Sequence, residues 1–394
     1  MPEFTDKSKC TGCTACASIC SQKCIQMKKD DAGFEFPEFA DPSRCIACGA
    51  CERVCPVLAK ESGDGEASTT AYAAFSKNDI LRRESSSGGI FSELATAILQ
   101  EGGIVYGASY DDKGVVRHVA IEDEKALGKL RGAKYSQSIL GDSFQIIKTQ
   151  LNSGRKVLFS GTPCQVAGLK ALLKKEYDNL ICIDFVCHGV PSPMVWEKYL
   201  KYRAKIDNDS ILPKYINLRN KESGWSNYSY SIEFAYDGEK RYLCKNKQDP
   251  FMNLFVNDFI LRESCSDCCF KGFSRASDIT LGDFWGIWDI DSEMDDNKGT
   301  SLILIHSIKG NRMLETIAEN IKMRRVTLDQ AASQNPSLLK SSVHKTNREN
   351  VLKVIRSDDF RAILPMLIRV EQSKKRSSIE MVKNVFKKYL KKYL

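Results

Sequence analysis

Two cysteine runs of one spacing constrain this chain more than anything else in it. Residues 10–20 read C-TG-C-TA-C-ASI-C, and residues 45–55 read C-IA-C-GA-C-ERV-C with Pro56 directly after. Three thiolates spaced this closely can wrap one face of a cubane iron–sulfur cluster, while the fourth points away and serves a second cluster. The pairing assigns Cys10, Cys13, Cys16 and Cys55 to one [4Fe–4S] cluster, and Cys45, Cys48, Cys51 and Cys20 to the other. A zinc site uses four ligands and would leave the second triplet without a purpose. Ser21 stands where a proline often follows such a run, which alters a turn and not a ligand. Cys24, a fifth cysteine nearby, reads as a buried non-ligand.

Composition supports this chemistry. Nine of the 16 cysteines precede residue 56, three more fall between 265 and 269, and only 4 histidines are present. Clustered thiols with few imidazoles favour iron–sulfur sites over His-containing zinc sites. No apolar stretch precedes Cys10, and no run of about 18 apolar residues follows it, so neither a signal peptide nor a transmembrane helix is expected. A cytoplasmic protein with reduced thiols is the expectation. The net charge of +8 sits largely in Glu371–Leu394, where eight Lys/Arg face two Glu. Nucleic-acid binding would want a basic face interleaved with stacking aromatics, and none is visible.

Residues 1–60 thus read as a two-cluster, ferredoxin-type module. It has little apolar core of its own, so the clusters would hold it together. Residues 61–70 contain one alanine as their only apolar residue and read as a linker. Beyond them strands and helices alternate. Strands are expected over 71–76, 104–110, 115–121, 156–160, 180–186, 279–281 and 302–305, and a hairpin over 228–236 and 240–244. Helices are expected over 90–100, 142–152, 165–174 and 195–204. This order predicts an α+β or α/β fold, a small ferredoxin-like domain followed by a larger mixed domain over 71–345.

Three features of the larger domain carry chemistry. Ser85-Ser-Ser-Gly-Gly89 precedes a helix, where hydroxyls and exposed N–H groups suit a phosphate, though a plain N-cap reads the same way. No G-x-G-x-x-G follows a strand, so a Rossmann dinucleotide site is not indicated. Phe159-Ser-Gly-Thr-Pro-Cys164-Gln places Cys164 in the first turn of a helix, which lowers a thiol pKa and suits a nucleophile or a metal ligand. The bland alternative is a capped, buried cysteine. Cys265-Ser-Asp-Cys268-Cys269 needs two further ligands, and Cys164 and Cys187, each at a strand end, are the obvious donors. Zinc is the alternative for that set.

At these residues the chain resembles the coenzyme F-420 hydrogenase/dehydrogenase beta-subunit family (the coenzyme is a 5-deazaflavin). The matching segments are Ser87-Gly-Gly-Ile-Phe91, Gly103-Ile-Val-Tyr-Gly107, Arg131-Gly-Ala-Lys-Tyr135, Gly161-Thr-Pro-Cys-Gln165, Cys187-His-Gly-Val-Pro191 and Cys265 to Gly286. The resemblance implies a flavin, most often FAD, and a third [4Fe–4S] cluster in the larger domain. It makes Ser87, Gly88, Gly89 and Lys134 flavin contacts, with a solvated lysine as the alternative for Lys134. It makes Cys164, Cys187, Cys265 and Cys268 the ligands of the third cluster, with Cys269 competing for the last place. It also implies electron transfer between a ferredoxin-like partner and an organic substrate; some bacterial members accompany polysaccharide synthesis. Clusters move single electrons and most organic reductions need two, so a flavin belongs between them. A ferredoxin-linked flavin reductase is the first reading. A deazaflavin-dependent oxidoreductase and an electron-transfer subunit without its own substrate are the others. Residues 346–394 read as a basic helical tail, and Ser377–Leu394 within it carries a helical apolar stripe with lysines opposite; that stripe reads as a terminal helix on the body, or as a peripheral contact with anionic lipid.

Overall fold

Residues 157–159 and 180–183 are apolar on both faces, and such runs form the buried centre of a sheet. The computed structural model, which describes residues 7–58, 69–226, 229–357 and 360–365, places them there. Its strands are β1 (Ile25–Lys29), β2 (Glu35–Phe39), β3 (Thr70–Ser76), β4 (Ile104–Tyr110), β5 (Val116–Ile121), β6 (Val157–Ser160), β7 (Leu180–Phe185), β8 (Tyr215–Asn220), β9 (Ser231–Ala235), β10 (Arg241–Lys245), β11 (Ile279–Asp283), β12 (Ser301–Ile305) and β13 (Ile321–Val326). An eight-stranded sheet runs β13-β3-β12-β11-β7-β6-β4-β5. Strands β4, β6, β7 and β11 are mutually parallel, and β5, β12, β3 and β13 add antiparallel edges. The fold is therefore mixed, an α+β body behind a small ferredoxin-like segment.

Alternate residues of these strands enter two different cores, as a period of two requires. Val105, Leu158, Ile181 and Ile183 face one side with Ile90, Leu94 and Ile98. Ile104, Val157, Phe159 and Leu180 face the other. The N-terminal helices are α1 (Ala15–Ile19) and α2 (Ala50–Arg53); those of the body begin α3 (Asp79–Glu84), α4 (Ile90–Gln100), α5 (Ser143–Asn152), α6 (Pro163–Leu173), α7 (Pro193–Asp207) and α8 (Pro250–Val256). Helix α4 covers the first face, and α5 and α6 the second.

The N-terminal segment is a layer of the body, not an appended bead. Cys13, Ala15, Cys16 and Val54 lie in the core beneath α5 and α6. Ala32, Phe34 and Phe36 from the β1–β2 hairpin pack with Val195, Trp196 and Tyr199 of α7 and with the sheet β10-β9-β8. The helix Arg348–Ser357 buries Val351, Leu352 and Ile355 in that same core. The apolar stripe beyond residue 378, and the lipid contact read from it, lie outside the described residues. No helix among the described residues is long and apolar enough to cross a membrane.

Candidate iron–sulfur and cofactor sites

Gly12 and Thr14 shape the loop of the first run. Thr14 caps α1 with φ 64°, and Gly12 has φ +69°. A Cβ on Gly12 would lie 2.7 Å from Gln137 Nε2 and 2.9 Å from Arg262 Nη1, so glycine is required twice over, by conformation and by space. Around that loop, Cys10, Cys13, Cys16 and Cys55 line one cavity with Met27, Pro37 and Val57. These are the four residues that the sequence assigns to a single cluster. Burial pushes the Cys16 thiol up to about 12, with the charges of Cys10 and Cys55 adding to the rise. Burial raises Cys13 and Cys55 as well. Thiolates crowded out of water in this way need cationic metal to be stable.

Of the second set, Cys45 and Cys48 are exposed and Cys51 and Cys20 are half-buried, with Ile46 also on the surface. Cys24 is buried, and its sulfur lies 3.2 Å from that of Cys20. No three His, Cys, Asp or Glu side chains among the described residues gather closely enough for a single metal ion.

The third set forms at the carboxyl ends of neighbouring parallel strands, the usual place for a site in such sheets. β6 runs into Gly161 and the capping box of Thr162 and Gln165, which starts α6 and sets Cys164 in its first turn. β7, paired with β6 in parallel, ends just before Cys187. Cys265 sits in the 3-10 turn Glu263–Asp267, and the Val190 amide donates to its sulfur at 3.5 Å. The Cys268 amide donates to Ser341 Oγ at 3.0 Å. Charges on Cys265 and Cys268 act on both Cys164 and Cys187, so the four thiols share one neighbourhood. Burial pushes Cys164 up to about 12, against the helix terminus that the sequence suggested would lower it. A free thiol so placed is a poor nucleophile at neutral pH, whereas a metal ligand is deprotonated by its metal.

The first and third cysteine sets adjoin. α1 packs on α6, and a Cβ on Gly168 of α6 would lie 3.0 Å from both Cβ and Sγ of Cys13. Charges on Cys164 reach Cys13.

The proposed flavin segments also meet. The Ala133 amide donates to Ser86 Oγ at 2.8 Å, and Arg131 Nε donates to Ser92 Oγ at 3.1 Å. Within them, Ser87 Oγ donates to Thr300 O and the Gly88 amide to Ser301 Oγ. A Cβ on Gly88 would lie 2.5 Å from Ala74 O. Gly89 caps α4 with φ 88°. Ser87 and Gly88 are thus tied into the sheet, and the polar groups facing the loop come from elsewhere. Lys134 Nζ donates to Arg131 O at 2.7 Å, and burial holds its pKa down at about 7. Just after β8, Lys221 donates to Arg82 O and Lys298 O and contacts Ser87 O. Arg219 stacks over Tyr230 at 4.0 Å and pairs with Asp283 at 3.1 Å. His118 on β5 is buried, with Nε2 2.9 Å from Ser160 O. A carbonyl only accepts, so Nε2 carries the proton and Nδ1 is an acceptor. That Nδ1 is buried without a partner. Tyr135 packs on Phe255, and Phe255 on His188 beside Cys187, which joins this loop to the third cysteine set.

Sequence reasoning missed Arg219, Lys221, His118 and Arg262. Isolated cations and a lone histidine on strands carry no motif, and only the tertiary fold reveals their burial.

Paired cubane-spaced thiols in a mixed α/β body define an iron–sulfur electron-transfer protein. Residues 9–59 match the 4Fe-4S dicluster domain, and residues 154–330 match the family described as the carboxyl-terminal part of the coenzyme F-420 hydrogenase/dehydrogenase beta subunit. Over those residues the chain is similar to that beta-subunit family. No curated protein matches it. A chain of the F-420-reducing [NiFe] hydrogenase complex from Methanosarcina barkeri, solved as a xenon derivative, is similar at 16% identity and a TM-score of 0.44, covering 72% of this chain and 91% of that one.

Proposed function

We propose that the chain is a ferredoxin-linked iron–sulfur flavoprotein reductase of an organic substrate. The observation that carries this is the contact of Cys13 with α6, which brings the buried N-terminal cysteine set against Cys164. Bound clusters would supply one-electron carriers, and a flavin would pair those electrons for two-electron chemistry. Cys10, Cys13, Cys16 and Cys55 would hold one cluster, Cys20, Cys45, Cys48 and Cys51 a second, and Cys164, Cys187, Cys265 and Cys268 a third. The exposed Cys45 and Cys48 present the docking side to a ferredoxin-like partner. Lys134 and Lys221, both held near 7 by burial, lie beside the 85–89 loop and would gain charge as the phosphates of FAD bind there, and His118 Nδ1 offers an acceptor to an N–H of the ring. A second reading, a subunit delivering electrons to a separate catalytic partner, uses the same cysteine path without a substrate of its own.

Stopped-flow bleaching of the flavin tests this. Cys45→Ala should lose most bleaching by reduced ferredoxin and keep bleaching by dithionite, which reaches the flavin directly. Unchanged ferredoxin-driven bleaching would place the electron input elsewhere.

Lys134 gives a separate prediction. At pH 8 its side chain is mostly neutral, because burial holds its pKa near 7. A phosphate bound beside it stabilises the charged form, so the pKa rises and a proton is taken up. Burial holds the neighbouring Lys221 down at about 7 as well, so FAD binding to the flavin-free protein at pH 8 should take up about two protons, read by calorimetry in buffers of different ionisation enthalpy. Lys134→Met should lower that uptake by about one proton; equal uptake in both proteins would remove Lys134 from the site.

A further inference from the structure

Five arginine side chains are buried among the described residues: Arg82, Arg219, Arg262, Arg275 and Arg348. Four face a carboxylate: Arg82 with Asp296, Arg219 with Asp283, Arg275 with Asp184, and Arg348 with Glu349. Arg262, 2% exposed, has no such ion pair among the described residues. Its guanidinium donates only to neutral acceptors: Nε to Cys10 O at 2.7 Å, Nη1 to Gln137 Oε1 at 2.8 Å, and Nη2 to Glu35 O at 3.0 Å. The Phe36 ring covers it at 4.2 Å. The Glu35 carboxyl is raised by its own burial, and Arg262 counts behind Lys29 and Arg117 among the cations opposing that rise. A full charge taken out of water without a counter-charge is strongly unfavourable.

Arg262 sits between the first and third cysteine sets. Its guanidinium holds the carbonyl of Cys10, in the first cysteine set. Its backbone carbonyl accepts from the Cys265 amide at 3.0 Å, in the third set, and its charge favours the thiolate of Cys164. A [4Fe–4S] cluster with four thiolates is an anion, and it gains one more negative charge on reduction. Nearby fixed charge is one of the factors that set its potential.

We propose that Arg262 is the shared buried counter-charge of the two inner clusters, a positioning residue that keeps their reduced states accessible. This rests on the reading that both cysteine sets hold clusters. Removing the charge should lower both potentials, because the added electron then lacks its compensating cation. The Cys45 set, which Arg262 does not touch, should not move.

Potentiometric titration followed by electron paramagnetic resonance tests this on the full chain. Iron is counted first. A wild-type chain lacking iron on either inner set would overturn the proposal together with the reading beneath it. With iron present, Arg262→Gln should lower the ratio of reduced to oxidised inner cluster about tenfold at a fixed potential, which is 59 mV for a one-electron couple. Arg262→Lys keeps the charge and should stay near wild type. Iron-replete Arg262→Gln with unmoved potentials would overturn the proposal alone and leave the cluster reading standing. If Arg262→Gln fails to fold, Arg262→Lys decides: a tenfold loss despite the retained charge would overturn the proposal, and a wild-type potential would support it.

Discussion

Replacing Cys187 with alanine is expected to strip about four irons from each chain, leaving about eight of about twelve. The residue is half-buried at the end of β7, where burial raises its thiol and Cys265, Cys164 and Cys268 act on it electrostatically. One ligand lost from four leaves an open iron corner, and such a cluster dissociates or is lost during purification. Cys268→Ala should do the same. Cys269→Ala should keep about twelve irons, since Cys268 is the member acting on both Cys164 and Cys187. Iron and acid-labile sulfide counted side by side read the result. If Cys269→Ala loses the four irons and Cys268→Ala none, the fourth ligand is reassigned; if Cys187→Ala loses none, the set is wrong.

A chain beginning at residue 69 is expected to fold poorly, although the composition of residues 61–70 reads as a joint between separable units. Deleting the N-terminal segment removes Phe34 and Phe36 from the core of α7, and Ala15 and Val54 from the core of α6. Each large apolar side chain buried in this way is worth about 1.5–3 kcal/mol. Arg262 would also lose Cys10 O and Glu35 O and keep only Gln137. Hydrogen bonds to a charged group contribute about 1.5–3 kcal/mol each. The Ala32 carbonyl, which accepts from Ser192 Oγ and the Met194 amide, disappears from the start of α7. These losses together are of the order of a domain's whole stability, about 5–15 kcal/mol. The truncated chain should aggregate, or melt at least 10 °C lower (roughly, from the size scaling of melting). A soluble truncated chain melting within a few degrees of the full one would show that the two parts are thermodynamically independent.

How far the sequence foretold this fold depends on the kind of signal. Ile90–Gln100 and Ile104–Tyr110 match their sequence ranges to the residue, because period and flanking glycines agree there. Pro163 starts α6 and Gly161 precedes it, so that boundary too was legible once the capping box was in view. β8 and β13 were missed: Ile321–Val326 reads IKMRRV, with its interior residues exposed, and an edge strand of that kind has little apolar pattern to find. The β1–β2 hairpin was hidden by the cysteine runs on either side of it. The fixed spacing that cubane chemistry demands made one grouping readable, in that Cys10, Cys13, Cys16 and Cys55 line one cavity. The grouping of Cys164 with Cys187 followed from two consecutive strand ends, which proved parallel neighbours. The packing of the N-terminal segment was not legible, since Phe34 and Phe36 look like any hairpin residues until α7 arrives against them.

Cofactor content of the full chain, purified without oxygen, tests the iron–sulfur flavoprotein reading most directly. About twelve irons, about twelve acid-labile sulfides and one flavin released by acid are expected, with no zinc. About eight irons and no flavin would contradict it, leaving a two-cluster electron carrier on a body that holds neither a third cluster nor the group that pairs electrons.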